Sequence, residues 1–245
     1  MVEGIGKEFI EKTKYQYMAE SLENQGFSQP YLELPYDPSA ELIPLPEPET
    51  IPHYPIDLRQ AIEQRKSLRR YQRIALTLEE LSFLLWTTQG VKTVTNRPVT
   101  LRTVPSAGAR HAFETYLLIN QVEGLPAGLY RFIGLEHALL AINLNPDIAE
   151  KVGAACGHQK KVNISAVTFI WVAVTERMYW RYGERGYRYL HLDAGHVCQN
   201  LYLAAEAIQC GACALAAFND DFLNQTLALD GENQWVIYCA ALGKR

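Results

Sequence analysis

The chain has 245 residues, 48% of them hydrophobic and 20% charged, and a formal net charge of −4. That length suffices for one large domain or two small ones with a sizeable core. The acidic balance argues against a general nucleic-acid binder, and without an apolar run of about 18 residues a membrane span is not expected.

Met1 to Lys14 is charged throughout and lacks an apolar secretory core. The five cysteines, Cys156, Cys198, Cys210, Cys213 and Cys239, lie among apolar neighbours. An odd number of such residues suits reduced, buried thiols, so a cytoplasmic location is expected. Cys210-Gly211-Ala212-Cys213 has the CxxC spacing but no second pair and no His cluster, so no metal site is expected. A redox dithiol and a packed strand entry both remain as readings of it.

In chain order, Lys7 to Gln25 patterns as an amphipathic helix. Eight prolines follow between Pro30 and Pro55, a density that prevents helix and discourages central strands. Residues 1–55 therefore read as an extended arm laid on a body or a partner subunit, or as a linker, and 56–245 as the compact domain. Asp57 to Gln64 predicts a short helix. Thr77 is a good N-cap with Glu80 at the capping-box position, Leu78, Leu81, Leu84 and Leu85 form a stripe, and Gly90 ends that helix. Residues 91–110 read as a loop and Glu114 to Val122 as a strand. Gly128 to Ile133 and Ala138 to Asn143 read as a hairpin. Asn145 to Cys156 predicts a helix with Pro146 at its first position. The run Ser165 to Thr175 predicts a central strand. Tyr187 to Gln209 predicts the longest helix, apolar nearly all round, either a core helix or a subunit interface. Cys213 to Phe218 and Trp235 to Leu242 read as the last strands. The mixed order favours a layered α+β domain.

Arg65-Lys66-Ser67-Leu68-Arg69-Arg70-Tyr71 carries four cations in seven residues. If extended, it points Arg65, Ser67, Arg69 and Tyr71 to one side. Guanidinium forks suit phosphate and acceptor-rich planar rings. The same cluster also fits a solvated helix C-terminus. Pro105-Ser106-Ala107-Gly108 allows close approach to backbone or is an ordinary turn. The small residues from Gly211 to Phe218 leave room for a planar group or pack tightly as a strand. Lys244-Arg245 suits a phosphate or an exposed terminus. Glu176 to Tyr189 interleaves four arginines with aromatics, a pattern able to stack single-stranded nucleic acid, although the net charge argues against it. His191, Asp193 and His196 do not share one helix face, so hydrogen bonding is preferred to a metal.

Taken in order, the Arg-x-Ser-x-Arg segment, the Thr103-Val104-Pro105-Ser106-Ala107-Gly108-Ala109-Arg110-His111 loop, Gly128-Leu129-Tyr130, Arg185-Gly186-Tyr187-Arg188-Tyr189, the Asp193-to-Leu201 helix, the turn ending in Phe218 and the terminal cations resemble the FMN-dependent nitroreductase superfamily, most closely its SagB-type dehydrogenase branch, over roughly residues 56–245. The resemblance implies a three-layer α+β fold with a central, mostly antiparallel sheet flanked by helices, in an intertwined homodimer with two FMN sites at the interface. Arg65, Ser67 and Arg69 would meet phosphate, ribityl and one ring edge, with Lys244 or Arg245 completing the phosphate site. Pro105, Ser106 and Ala107 would come from the other subunit, and Leu215, Ala216 and Ala217 would line the ring. The implied activity is hydride transfer through flavin N5 to or from a small or peptide-derived substrate, with NADH or NADPH as a transient donor. Branch members that oxidise azolines align a Lys-Tyr pair where this chain has Arg181-Tyr182. Arginine stays protonated, which leaves Tyr182 as the candidate catalytic residue. The alternatives are a non-catalytic flavin-binding scaffold subunit of a peptide-modifying complex, and a single-strand nucleic-acid binder.

Overall fold

In a computed structural model that describes residues 4–245, the apolar run after Ser165 forms the strand Val167–Val174, with every residue buried. Its side chains alternate between two cores, as strand geometry requires. Val167, Phe169, Trp171 and Ala173 enter one, and Ile170 and Val172 the other.

In chain order the elements are α1 (Ile5–Lys12), β1 (Leu42–Pro44), α2 (Leu58–Gln64), α3 (Leu78–Gln89), β2 (Val91–Val94), β3 (Thr100–Arg102), β4 (Phe113–Ile119), β5 (Gly128–Ile133), β6 (Ala138–Asn143), α4 (Ile148–Ala155), α5 (Lys160–Ile164), β7 (Val167–Val174), α6 (Thr175–Tyr182), α7 (Gly186–Ala207), β8 (Cys210–Leu215), α8 (Asp220–Thr226) and β9 (Gln234–Lys244). Seven strands form one sheet in the order β1-β6-β5-β4-β7-β9-β8, and every neighbouring pair is antiparallel. Leucines of α3 and the apolar side of α7 cover one face. Ile148, Val152, Val162 and Leu223 of α4, α5 and α8 cover the other. This is the expected α+β arrangement of helices on both faces of an antiparallel sheet.

Helix starts follow local chemistry. Asp57 accepts from Gln60 N–H, and Thr77 and Glu80 form a reciprocal capping box, each satisfying N–H groups the first turn leaves free. Some expectations shift. Residues 91–110 contain the β2–β3 ribbon, closed by Thr95 N–H on the Val99 carbonyl at 3.0 Å. Pro146 precedes the N-cap Asp147 rather than opening α4. The penultimate strand runs Cys210–Leu215, because Cys210 pairs with Lys244 and Leu215 with Cys239. The chain then leaves the sheet at Ala216 so that Asn219 can cap α8. The N-terminal helix stops at Lys12, where buried Thr13 receives Arg185 at its carbonyl and Arg188 at its hydroxyl.

The N-terminal segment lies along its own chain. Arg177 Nε donates to the Tyr31 carbonyl at 2.7 Å, and Leu34 N–H donates to Glu114 at 2.9 Å. Arg177 and Glu114 pair at 2.6 Å with side chains only 3% exposed. Leu42–Pro44 then joins β6 as the outermost strand, where a proline is tolerated.

Candidate functional site

α2 ends where Arg65 adopts φ −55°, ψ 127°, which turns the basic segment into an extended path across the end of β8 and β9. Leu68 N–H donates to the Ala212 carbonyl at 2.9 Å, and Gln72 N–H to the Lys244 carbonyl at 3.0 Å. Two glycines allow this close passage. Gly211 and Gly243 are register partners, and a Cβ on either would press into Leu68 or Tyr71, at 2.7 and 2.9 Å. Tyr71 Oη is bound to the Leu68 and Ala241 carbonyls at 2.8 and 3.0 Å.

Tyr202, from the C-terminal third of α7, organises the segment. Its hydroxyl lies 3.0 Å from Ser67 Oγ and accepts from Ala214 N–H on the edge strand β8 at 2.8 Å. The Arg65 guanidinium sits 5.3 Å from the Tyr202 ring centroid. Arg69 is exposed and reaches the Ser67 carbonyl at 3.4 Å. Among the described residues, neither Arg65 nor Arg69 pairs with a carboxylate. The terminal cations are differently placed. Lys244 Nζ binds Glu80 and the Ile208 carbonyl, and Arg245 binds Glu206 and the Cys210 carbonyl.

The Pro105-Ser106-Ala107 loop stands elsewhere on the chain. Asp193 of α7 accepts from Ala107 N–H at 3.2 Å, and Ser106 Oγ accepts from His111 N–H at 2.9 Å. Gly108 takes φ +57°, and a Cβ there would collide with the Tyr182 hydroxyl. Burial holds the Asp193 carboxyl above its usual range, against the hydrogen bonds from Ser106 and Ala107. Burial, then the charges of Arg102 and Arg110, push the imidazole of His111 down to about 3. His111 is therefore neutral across the physiological range.

The candidate residues thus gather in two separate groups on one chain. Arg65, Ser67 and Arg69 gather at Tyr202, and Pro105, Ser106, Ala107 and Tyr182 gather near Asp193. Nine residues of one helix separate the two anchors, about 13 Å of axial rise. Leu215 packs into the second core, whereas Ala216 and Ala217 are exposed just beyond β8. Asp193 binds the loop, and no group of three metal-ligating side chains occurs among the described residues. Cys210 and Cys213 are both buried and free, and their odd spacing in a strand sends them to opposite faces, so they do not form a dithiol pair. Tyr202 escapes a reading of the sequence because it sits on the apolar side of its helix.

Residues 62–244 match the nitroreductase family. MJ1384 of Methanocaldococcus jannaschii, named as a candidate nitroreductase, is 34% identical over 174 residues, covering 71% of this chain and 85% of its own length. The trifolitoxin-processing protein TfxB of Rhizobium leguminosarum bv. trifolii is 29% identical over 133 residues, 53% of this chain and 36% of TfxB. The microcin B17-processing protein McbC of Escherichia coli is 25% identical over 133 residues, 53% of this chain and 49% of McbC. The chain thus spans about half or less of either processing protein. Among solved structures, a candidate nitroreductase from Anabaena variabilis superposes with a TM-score of 0.68 at 27% identity, over 84% of this chain and 42% of that one. One from Desulfovibrio desulfuricans, solved in complex with FMN, gives 0.54 at 20% identity, over 77% of this chain and 86% of that one. This last likeness is one of fold.

Proposed function

The chain belongs to the nitroreductase family, and on that premise we propose that it is an FMN-dependent oxidoreductase of the SagB-type branch, working in the cytoplasm as a homodimer. Bound FMN supplies the redox chemistry, a hydride exchanged at N5 between a nicotinamide donor and a small or peptide-derived substrate. The observation that carries the reading is the pair of separated partial sites. A two-fold axis that sets the Tyr202 end of one copy against the Asp193 end of another joins them, and such isologous pairing is the commonest way chains assemble.

The residues fit the cofactor unevenly. Among the described residues Arg65 and Arg69 have no carboxylate to give up, and Ser67 offers a hydroxyl between them. Two guanidiniums and a hydroxyl suit a phosphate monoester. Ala216 and Ala217 present only methyl groups beside the edge strand and leave space for a flat ring. Lys244 and Arg245 fit less well as direct ligands, since each is already neutralised by a carboxylate. The 105–107 loop, fixed by Asp193, presents backbone to the second copy's ligand. Tyr182 is the hydroxyl available to an acceptor.

A second reading, a flavin-binding scaffold subunit of a peptide-modifying complex, draws support from Arg181. That guanidinium, beside Tyr182, is held by Glu23 at 3.0 Å, where azoline-oxidising relatives of the branch carry a lysine. Purified protein supplied with FMN separates the readings. Flavin absorbance together with NADH- or NADPH-driven reduction of an acceptor supports the enzyme, and flavin without turnover supports the scaffold. A protein that takes up no FMN contradicts both.

A further inference from the structure

The N-terminal segment crosses directly over the Tyr182 end of the site. Glu23 N–H donates to the Trp180 carbonyl at 3.0 Å, and Trp180 Nε1 donates to the Phe27 carbonyl at 2.9 Å. Between these clasps the Glu23 carboxylate receives Arg181 Nη1 at 3.0 Å. Arg181 also borders Gly108, its Cδ and Nε 3.0 Å from where a Cβ would stand. On the same glycine, Arg110 donates Nε–H to the carbonyl at 3.1 Å, while its guanidinium lies 5.3 Å from the Trp180 ring centroid. Glu23, Arg181 and Tyr182 open together onto a cleft of about 430 Å³, walled by Tyr15, Met18 and Tyr189. That volume lies in the range of small-ligand sites.

Charge around this point is unbalanced. Arg110 forms no ion pair among the described residues. Burial, and then the charge of Arg181, hold it below its usual range, with Arg97 acting in the same direction and Glu23 and Tyr182 opposing. Glu20 lines the cleft and is exposed. Of the two guanidiniums beside Gly108, Arg181 pairs with Glu23, whereas Arg110 feels that carboxylate only through its charge. The Arg181–Glu23 pair is 37% and 27% exposed. An ion pair so open to water contributes little, so exchanging Glu23 for another carboxylate is nearly neutral in free energy.

We propose that Arg110 and Arg181, flanking Gly108 beside the Tyr182 hydroxyl, form an anion subsite that Glu23 fills in the free chain and that a carboxylate-bearing acceptor fills in its place. Glu23 is then a built-in competitor, and the enzyme favours acceptors carrying a carboxylate over neutral ones of the same shape. The inference rests on the flavin reading above, which makes Tyr182 the group that serves an acceptor.

Equilibrium dialysis of the full chain against 4-nitrobenzoate and 4-nitrobenzyl alcohol tests it, with and without added FMN. The carboxylate probe is expected to bind the native chain about fivefold more tightly than the alcohol, with the advantage shrinking as salt rises. Glu23→Gln is expected to tighten 4-nitrobenzoate about tenfold and to leave the alcohol within twofold. Arg181→Gln removes the preference, and Arg181→Lys restores part of it. Equal affinity for the two probes in the native chain, unchanged in Glu23→Gln, overturns the subsite. FMN uptake is read by absorbance in the same cells. Uptake without a carboxylate preference sinks the subsite alone, whereas a preference without FMN uptake sinks the flavin reading and leaves the subsite standing.

Discussion

Tyr202 and Ser67, 135 positions apart, are joined hydroxyl to hydroxyl at 3.0 Å. The direction of that bond follows from accounting. Tyr202 Oη already accepts from Ala214 N–H, and among the described residues Ser67 Oγ is the one acceptor within reach of its proton, which assigns Tyr202 as donor and Ser67 as acceptor. Ser67 keeps its own O–H free to donate, which is what an anionic ligand between Arg65 and Arg69 requires. Tyr202→Phe leaves the Ala214 amide unpaired and Ser67 unfixed. Urea unfolding is expected to show a loss of about 1–3 kcal/mol, and fluorescence titration a roughly tenfold weaker grip on FMN.

Among the described residues, Arg65→Ala and Arg69→Ala break no ion pair. Each is expected to leave the unfolding midpoint nearly unchanged and to weaken FMN about tenfold or more. Riboflavin, which lacks the phosphate, distinguishes the roles: its affinity moves little if the guanidiniums act on phosphate.

Gly108→Ala strikes the loop twice, through its φ of +57° and through contact with the Tyr182 hydroxyl. Strain of about 1–2 kcal/mol is expected from the backbone alone. The turnover number falls more than the affinity for FMN, because the displaced group is Tyr182 rather than a phosphate ligand. Steady-state rates with an artificial acceptor, set beside flavin titration, read the difference.

Glu33 lies under the 134–135 turn, accepting from Gly134 N–H at 2.6 Å. Burial, and then the charge of Glu114, raise its carboxyl from 4.5 to about 7, against Arg102 and the two amides. A raised carboxyl means that the folded chain binds the proton more tightly than the unfolded one. This group's effect is therefore a stability that falls as pH rises from about 4.5 to about 7, by about 3 kcal/mol. Glu33→Gln is expected to flatten that slope in urea titrations across the window and to be the more stable protein at pH 8.

Arg177→Met leaves Glu114 buried without its partner and removes the tie to the Tyr31 carbonyl. A loss of about 3–5 kcal/mol is expected by chemical denaturation. Proteolysis near residues 27–36 is expected to accelerate before global unfolding.

The sheet was legible where local chemistry decides. The apolar run at β7, the β5–β6 hairpin and the Thr77–Glu80 box each announce themselves within a few residues. What escaped depends on distant contacts. Thr13 ends its helix because Arg185 and Arg188 claim it, and β8 begins at Cys210 because β9 pairs it there. Within the candidate site, the Arg65–Arg69 and Pro105–Ala107 segments stand out in the sequence by composition. Tyr202 and Glu23 do not, and Asp193 stands out as a hydrogen-bonding residue without its partner being readable. Each acts by holding a segment more than 80 residues away, a relationship that spacing along the chain does not encode.

Native mass spectrometry after incubation with FMN tests the central claim most directly, since it reports subunit count and bound flavin together. Two chains carrying two FMN molecules, reduced to empty dimers by Arg65→Ala/Arg69→Ala, is the predicted result. A single chain holding FMN, or a dimer that binds none, would contradict a site assembled from two copies.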